Sequence, residues 1–308
     1  MVIPPSRRQV LAGLGAGVLT MGSTGGYAFV VEPRFRLVTT AYALAPPGWN
    51  SGPSLRIVVL ADIHVCEPWM PLDRVAEIVD AANALAPDLI LMLGDYPAGP
   101  SVTGRRVPLP EFARVVASLR APLGAYAVLG NHDWWDDADA MRERKGPVEA
   151  RRVLERQGIP VLENDVLRLS KDGRPFWLAG LADQIPFLRL HSRRSLADLP
   201  GTLARITDDA PVILMAHEPD IFPSVPARVS LTLAGHTHGG QVRLLGYSPF
   251  SNSDFGQRFI YGHVVEGGRH LIVSGGLGVS GVGVRFGVPP EILLVELARE
   301  ERGDRASK

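Results

Sequence analysis

An α/β fold, with sheets covered by helices, is what the sequence predicts, and two observations carry that prediction. The first is a β-α-β-α-β succession between residues 55 and 129. The second is a series of strand-like runs from 176 onward with little helix between them, which points to a second sheet facing the first. A chain of 308 residues that is 46% hydrophobic has ample apolar surface for a core, so wholesale disorder is excluded.

Taken in chain order, the N-terminus comes first. Residues 9–31 carry no charge and follow Ser6-Arg7-Arg8, the layout of a targeting segment. Gly13, Gly15, Gly17, Gly22, Gly25 and Gly26 thin its apolar content below that of a dependable spanning helix of about 20 apolar residues. Ser-Arg-Arg-Gln-Val-Leu resembles a twin-arginine export signal. Gly26-Tyr27-Ala28 is a poor cleavage site, so 1–31 fits a cleaved signal peptide and a retained signal anchor alike. Arg34 and Arg36 follow the segment as Arg7 and Arg8 precede it, which leaves orientation open. Residues 32–54 read as a connector containing the turn-rich stretch Pro46-Pro47-Gly48-Trp49-Asn50-Ser51-Gly52-Pro53.

A folded domain is expected over 55–297. Residues 55–61 form a buried-strand run, and Leu72, Val75, Val79 and Ala82 then mark one helical face. The run 89–93 ends at Gly94-Asp95; Phe112, Val115, Val116 and Leu119 mark the next helix, and 125–129 the third strand. Further strand-like runs lie at 176–181, 211–216, 229–234, 271–274 and 291–297. No internal repeat is visible, and the tail 298–308 alternates charges like a solvated end.

Composition narrows the chemistry. The 32 basic residues balance the 32 acidic ones, so the chain lacks the electrostatic footprint of a general nucleic-acid binder. A single cysteine, Cys66, rules out an internal disulfide and cysteine-rich zinc modules. Histidine is the informative residue type. Asp62-Ile63-His64 closes the first strand run, Gly94-Asp95 the second, and Gly130-Asn131-His132-Asp133 the third. Ala216-His217-Glu218 closes a fourth, and Gly235-His236-Thr237-His238-Gly239-Gly240-Gln241 a fifth. Sites in open α/β sheets form beyond the carboxyl ends of strands, so these clusters can converge. In extended chain, positions i and i+2 project to one side, which would let Asp62 and His64, and His236 and His238, each face a common centre. A lone Asp after a strand is most often a turn residue and a lone His a hydrogen-bonded structural one. That bland account must place five of the eight histidines (His64, His132, His217, His236 and His238) at strand ends by chance, which it does poorly.

The ordered set Asp-x-His, Gly-Asp, Gly-Asn-His-Asp, His and Gly-His-Thr-His-Gly-Gly-Gln resembles the calcineurin-like metallophosphoesterase superfamily over about residues 55–241. Ser274-Gly275-Gly276-Leu277-Gly278 and Pro289-Pro290-Glu291-Ile292 resemble its bacterial branch bearing twin-arginine signals or membrane anchors, and extend the likeness to about 297. The resemblance implies a four-layer α/β/β/α sandwich with two facing mixed sheets and a dinuclear metal centre. It further implies that Asp62, His64 and His238 hold one metal and Asn131, His217 and His236 the other, with Asp95 bridging. His132 would be the catalytic histidine and Asp133 would orient it. Val65-Cys66 departs from the glycine many relatives carry after that first histidine, which leaves the first loop's shape open; Cys66 reads as a buried or half-exposed thiol before it reads as an extra ligand.

Two divalent ions would attract a phosphoester, lower the pKa of a bridging water and clamp the phosphoryl oxygens, while His132 protonates the leaving alkoxide. Nitrogen and oxygen donors without thiolate suit Mn, Fe or Zn. Affinity order alone favours Zn over Mn, whereas export in a folded state would let the metal be chosen in the cytoplasm and favours Mn or Fe/Mn. The expected activity is phosphodiester hydrolysis at the cell envelope, exported or membrane-anchored. The enzyme alternative is a UDP-2,3-diacylglucosamine pyrophosphatase of lipid A synthesis at the cytoplasmic membrane face; a binding scaffold ranks last because no candidate ligand is missing. The substrate is expected to be lipid-linked or nucleotide-linked, and the export machinery a partner. Trp69, Trp134, Trp135 and the segment 183–194, with Phe187, Arg189, His191, Arg193 and Arg194, are the candidate specificity elements. His263 and His270 read as structural.

Overall fold

A computed structural model describes residues 23–99, 104–192 and 194–298. Arg7, Arg8 and the charged tail beyond 298 lie outside the described residues. The first sheet runs in the order β1 (Val38–Leu44), β13 (Glu291–Leu297), β2 (Leu55–Leu60), β4 (Leu89–Met92) and β6 (Ala125–Ala127). The second runs β11 (Gly262–Glu266), β12 (Arg269–Val273), β10 (Leu231–Ala234), β9 (Val212–Met215), β8 (Arg174–Gly180) and β7 (Asp165–Lys171). Both sheets are mixed: β2, β4 and β6 are parallel while β13 opposes β2, and β8, β9, β10 and β12 are parallel between antiparallel β7 and β11. A short ribbon pairs β3 (Cys66–Glu67) with β5 (Arg105–Arg106).

Alternation along the strands sorts side chains between layers. Ile57 and Val59 join Phe176, Leu178, Ile213 and Leu233 in an apolar seam between the two sheets. Val58 and Leu60 point the other way, towards α1 (Leu72–Ala84), α2 (Leu109–Val116) and α5 (Glu149–Arg156). The outer face of the second sheet, with Trp177, Leu214 and Val273, is covered by α6 (Leu199–Ala204) and the 3-10 turn Pro219–Ser224. The result is the four-layer α/β/β/α sandwich, its last layer thin.

Residues 32–54, expected to connect, do more. Val38–Leu44 pairs in parallel with β13 along its whole length, its residues alternating between half-buried and exposed as an edge strand's do. Ahead of it, residues 23–35 are helical and packed on the domain. Ala28 is buried, its carbonyl accepts the Arg285 N–H at 2.9 Å, and the buried Glu32 carboxylate accepts the Val288 N–H at 2.9 Å. No helix among the described residues is long and apolar enough to cross a membrane.

β2, β4 and β6 stop one or two residues short of the apolar runs that announce them, at Leu60, Met92 and Ala127. Beyond those ends the chain leaves the ladder without leaving its neighbour. Asp62 N–H donates to the Gly94 carbonyl at 3.1 Å and His64 N–H to that of Asp95 at 3.0 Å, so the loops after β2 and β4 run side by side at the carboxyl edge. The loop after β6 opens α3 (Asn131–Trp135), which is followed by α4 (Ala138–Glu143).

Candidate metal centre

The strand-end clusters converge. Asp62, His64 and His238 bring one ligand atom each within 4.8 Å of one another, and so do Asp95, His217 and His236; all six are buried. Their backbones explain how. Asp62, His64, Asp95, His236 and His238 have φ of 52°, 46°, 58°, 68° and 53°, the left-handed region that L-residues with a Cβ seldom occupy. The i, i+2 pairs therefore face one centre through successive tight turns and not, as extended chain would have it, along a strand. Left-handed residues cost of order 1–2 kcal/mol each, and such strain concentrates where function demands it.

Gly94 and Gly130 are among the glycines that the site sterically requires. Gly94 has φ 93°, and a Cβ there would lie 2.4 Å from the Gly130 nitrogen. A Cβ on Gly130 would meet Asp95 Oδ1 at 2.4 Å and His217 Cε1 at 2.5 Å, filling the cradle between the two groups.

Hydrogen bonds fix which ring nitrogens face inward. His64 Nδ1 lies 2.9 Å from the Pro97 carbonyl and His217 Nδ1 2.7 Å from that of Leu93. A carbonyl only accepts, so both Nδ1 atoms carry a proton and both Nε2 atoms face the centre, the outer support that ligating histidines use. His64 Nε2 and His238 Nε2 are 3.0 Å apart, and His236 Nδ1 and His217 Nε2 3.3 Å. Two nitrogens each about 2.1 Å from a shared ion are separated by about 3.0–3.3 Å. Asp95 links the groups: its Oδ2 is 3.5 Å from His64 Nε2 and 3.3 Å from His217 Nε2, while Oδ1 accepts the His132 N–H at 2.8 Å. Asn131 Oδ1 is buried without a hydrogen-bond partner, an orphan acceptor at the same edge. A nitrogen and oxygen donor set with that orphan fits divalent cations.

Electrostatics agree. Burial pushes Asp62 up to about 7, against the pull of His217. Burial also works against a charge on His217, yet the Asp95 carboxylate holds its pKa well above the usual value. Burial, with neighbouring cations, holds His238 well below it. A cluster whose carboxylate resists ionisation while a neighbour holds a proton is one that cations stabilise.

His132 lines the pocket beside this cluster, with its ring 4.9 Å from that of His64 and 5.1 Å from that of Trp135. The Asp133 carboxylate, next in sequence to His132, accepts backbone N–H groups of Asp95 at 2.9 Å, Tyr96 at 3.1 Å and Gly130 at 2.8 Å, so it clamps the loops that carry Asp95 and Asn131 together. Cys66 is buried against Ala98 and Val279, outside both donor groups, and burial pushes its thiol up to about 11.

A cavity of about 640 Å³ opens over the centre, walled by Trp135, Ile185, Leu188, Val242, Phe250 and Val282. Among the candidate specificity elements Trp135 reaches it, as does the segment 183–194 through Ile185 and Leu188. Trp134 and Phe187 pack edge to face in the core, Trp69 donates to the Phe29 carbonyl at 3.2 Å, and His191 and Arg194 are exposed. Arg193 lies outside the described residues. His263 and His270 stack on β11 and β12 with ring nitrogens 3.0 Å apart.

Sequence reading missed Arg285. It is fully buried, donates to the Gly278 and Val288 carbonyls, and sets Nη2 3.2 Å from His238 Nδ1. One signal was available: Arg285 is the lone charge in residues 274–290, an otherwise glycine-rich apolar stretch.

Fold and site together define a metallophosphoesterase, and the comparisons agree. The family model for calcineurin-like phosphoesterase matches residues 55–240, and the chain belongs to that family. It is a phosphoester hydrolase. It is 32% identical over 302 residues to the metallophosphoesterase YkuE of Bacillus subtilis (strain 168), covering 95% of this chain and 97% of that one. It is 29% identical over 297 residues to the phosphodiesterase YaeI of Escherichia coli (strain K12), covering 95% and 99%. A protein of Bos taurus named transmembrane protein with metallophosphoesterase domain is 30% identical over 256 residues, covering 80% of this chain and 53% of that one.

Proposed function

We propose that the chain hydrolyses a phosphodiester at the cell envelope through a dinuclear centre. Asp62, His64 and His238 hold one divalent ion, Asn131, His217 and His236 the other, and Asp95 is shared. The observation that carries this reading is Asp95 Oδ2, which lies within 3.5 Å of a histidine nitrogen from each group. Two divalent ions, Mn, Fe or Zn by donor chemistry, supply Lewis-acid polarisation of the phosphoryl oxygens and a water acidic enough to attack.

The chain's own residues do the rest. His132 sits at the pocket wall, anchored through its backbone to Asp95, where its ring can deliver a proton to a departing alkoxide. Buried Arg285 adds positive charge behind His238, which favours an anionic ester. Trp135, Val242 and Phe250 give the cavity an apolar wall. The likeness to a protein named phosphodiesterase supports a diester, and the cavity leaves room for a lipid or nucleotide substituent. Arg7, Arg8 and the uncharged 9–31 support an envelope location reached by twin-arginine export.

Metal content and turnover of an aryl phosphodiester, measured on the same samples, test the reading. Asp95→Asn is expected to lose bound metal and activity together. His132→Ala should keep its metal and lose about 10²–10⁴-fold in kcat. Full activity in Asp95→Asn would sink the shared-carboxylate centre.

A further inference from the structure

Two segments frame the pocket mouth, 241–253 and 274–290. At this chain's 21% charged content, about six of those thirty residues would carry charge; two do, Arg243 and Arg285, and no carboxylate is present. Arg285 is buried, which leaves an apolar rim with a single cation.

The first segment carries a hairpin. Leu244 and Tyr247 exchange backbone hydrogen bonds of 2.9 and 3.0 Å around Leu245-Gly246, whose φ values of 52° and 85° make the two-residue turn that favours Asn-Gly. Leu245 instead occupies the left-handed position, and its relative exposure is 108%. Neither backbone preference nor core packing accounts for a leucine there. Leu244, Tyr247 and Phe250 are exposed on the same hairpin, and Val282 is exposed across the mouth. Because Val242 and Phe250 line the cavity, the hairpin rises directly from the site.

This rim continues into the N-terminus. Arg243 N–H donates to the Phe286 carbonyl at 2.8 Å, Arg285 N–H to that of Ala28 at 2.9 Å, and the Phe286 ring meets Tyr27 edge-on at 6.2 Å. Phe29, Val30 and Val31 are exposed one turn further on, and the preceding residues 9–22 carry no charge.

We propose that the pocket mouth is a lipid-docking surface: the 242–250 hairpin, Val282 and the N-terminal helix enter the interface of a bilayer, with Arg243 at its headgroups. Exposed apolar side chains beside a cation and free of carboxylates are what a lipid surface selects, and the sequence 9–22 ahead of the N-terminal helix carries no charge either. Resting on the phosphodiesterase reading, the substrate is then a diester held at the lipid–water interface.

The test uses the full chain carrying Leu245→Cys, labelled with an environment-sensitive fluorophore. Cys66, at 2% exposure, stays unlabelled in the folded protein. Vesicles of phosphatidylcholine containing phosphatidylglycerol are expected to shift the emission to the blue and raise it about twofold or more, as insertion into the interface requires. Unchanged emission overturns the proposal, as does a shift that appears without lipid when light scattering shows copies pairing. In parallel, Leu245→Asn, which suits the turn, is expected to keep its Tm and its turnover of a soluble aryl diester while vesicle-borne diester turnover falls about fivefold or more. Equal turnover on vesicles overturns the proposal. A labelled protein that shifts with lipid but hydrolyses no diester leaves the surface standing and removes the phosphodiesterase reading.

Discussion

Asp133 ties together the two loops that bring Asp95 and Asn131 to the candidate metal centre. Its two oxygens accept three N–H groups from the loops that carry Asp95 and Asn131, and burial together with the nearby Asp95 charge pushes its pKa up to about 8. Those donors are what favour its ionised form. Asp133→Ala would leave three buried N–H groups unanswered, each costing about 1–3 kcal/mol if no water replaces the carboxylate. A loss of at least ~2 kcal/mol is expected from urea unfolding at fixed metal, with weakened metal retention because both ligand loops lose their tie; an unchanged midpoint would return Asp133 to a purely catalytic role. Asp133 and the seven candidate ligands were legible in sequence because glycine, asparagine and aspartate punctuate strand ends. The manner of their convergence was not, since left-handed φ at five of the candidate ligands leaves no periodic trace. Arg285 was illegible for another reason: an arginine reads as surface until the fold supplies the carbonyls of Gly278 and Val288.

At the scale of elements, the outermost strand of the first sheet is the least visible in sequence and among the most exposed to test. β1 has no continuous apolar run because, at the edge, one face alternates with solvent, so its Thr39, Thr40 and Tyr42 resemble connector residues. The central strands β2, β4, β9 and β10 are covered on both faces and announce themselves as apolar blocks. β1 shields β13, whose residue Glu291 accepts from Tyr261 Oη at 2.9 Å and from the Gly275 N–H at 2.6 Å, beside the loop that packs on Asp62. A chain beginning at Leu37 keeps β1 but loses the Glu32 carboxylate, and the orphaned Val288 N–H should cost about 1–3 kcal/mol, read as a lower Tm. One beginning at Ala45 removes β1, bares the edge of β13 and is expected to aggregate in light scattering. Equal behaviour of the two would mean that β1 contributes nothing to the sheet.

The whole molecule gathers buried ionisable groups from both sheets at one edge, and that arrangement makes stability depend on protons and cations together. Without cations, burial raises Asp62 to about 7 and Asp133 to about 8, so the folded chain binds protons that the unfolded chain has already released above its ordinary carboxylate range. Stability from these groups is therefore full at low pH and lost as pH rises through 7 to 8. His217, held high by Asp95 despite burial, contributes in the same direction above 6.5. His64, His236 and His238 are lowered by burial, so their contribution is complete above 6.5 and falls away only on acidification. Between pH 6.5 and 8 the balance has one sign: the chelator-treated protein should lose Tm as pH rises. Divalent cations compete with the protons on Asp62 and His217, so they bind more weakly at pH 6 and more tightly at pH 8. Thermal melts with Mn or Zn and with chelator should therefore diverge as pH increases, the gap at pH 8 exceeding that at pH 6 by several degrees, about the scale of a 1–2 kcal/mol linkage in a domain of this size. A gap that stays constant across that range would mean that cations do not displace these protons, and that the two buried groups are held together by hydrogen bonds alone.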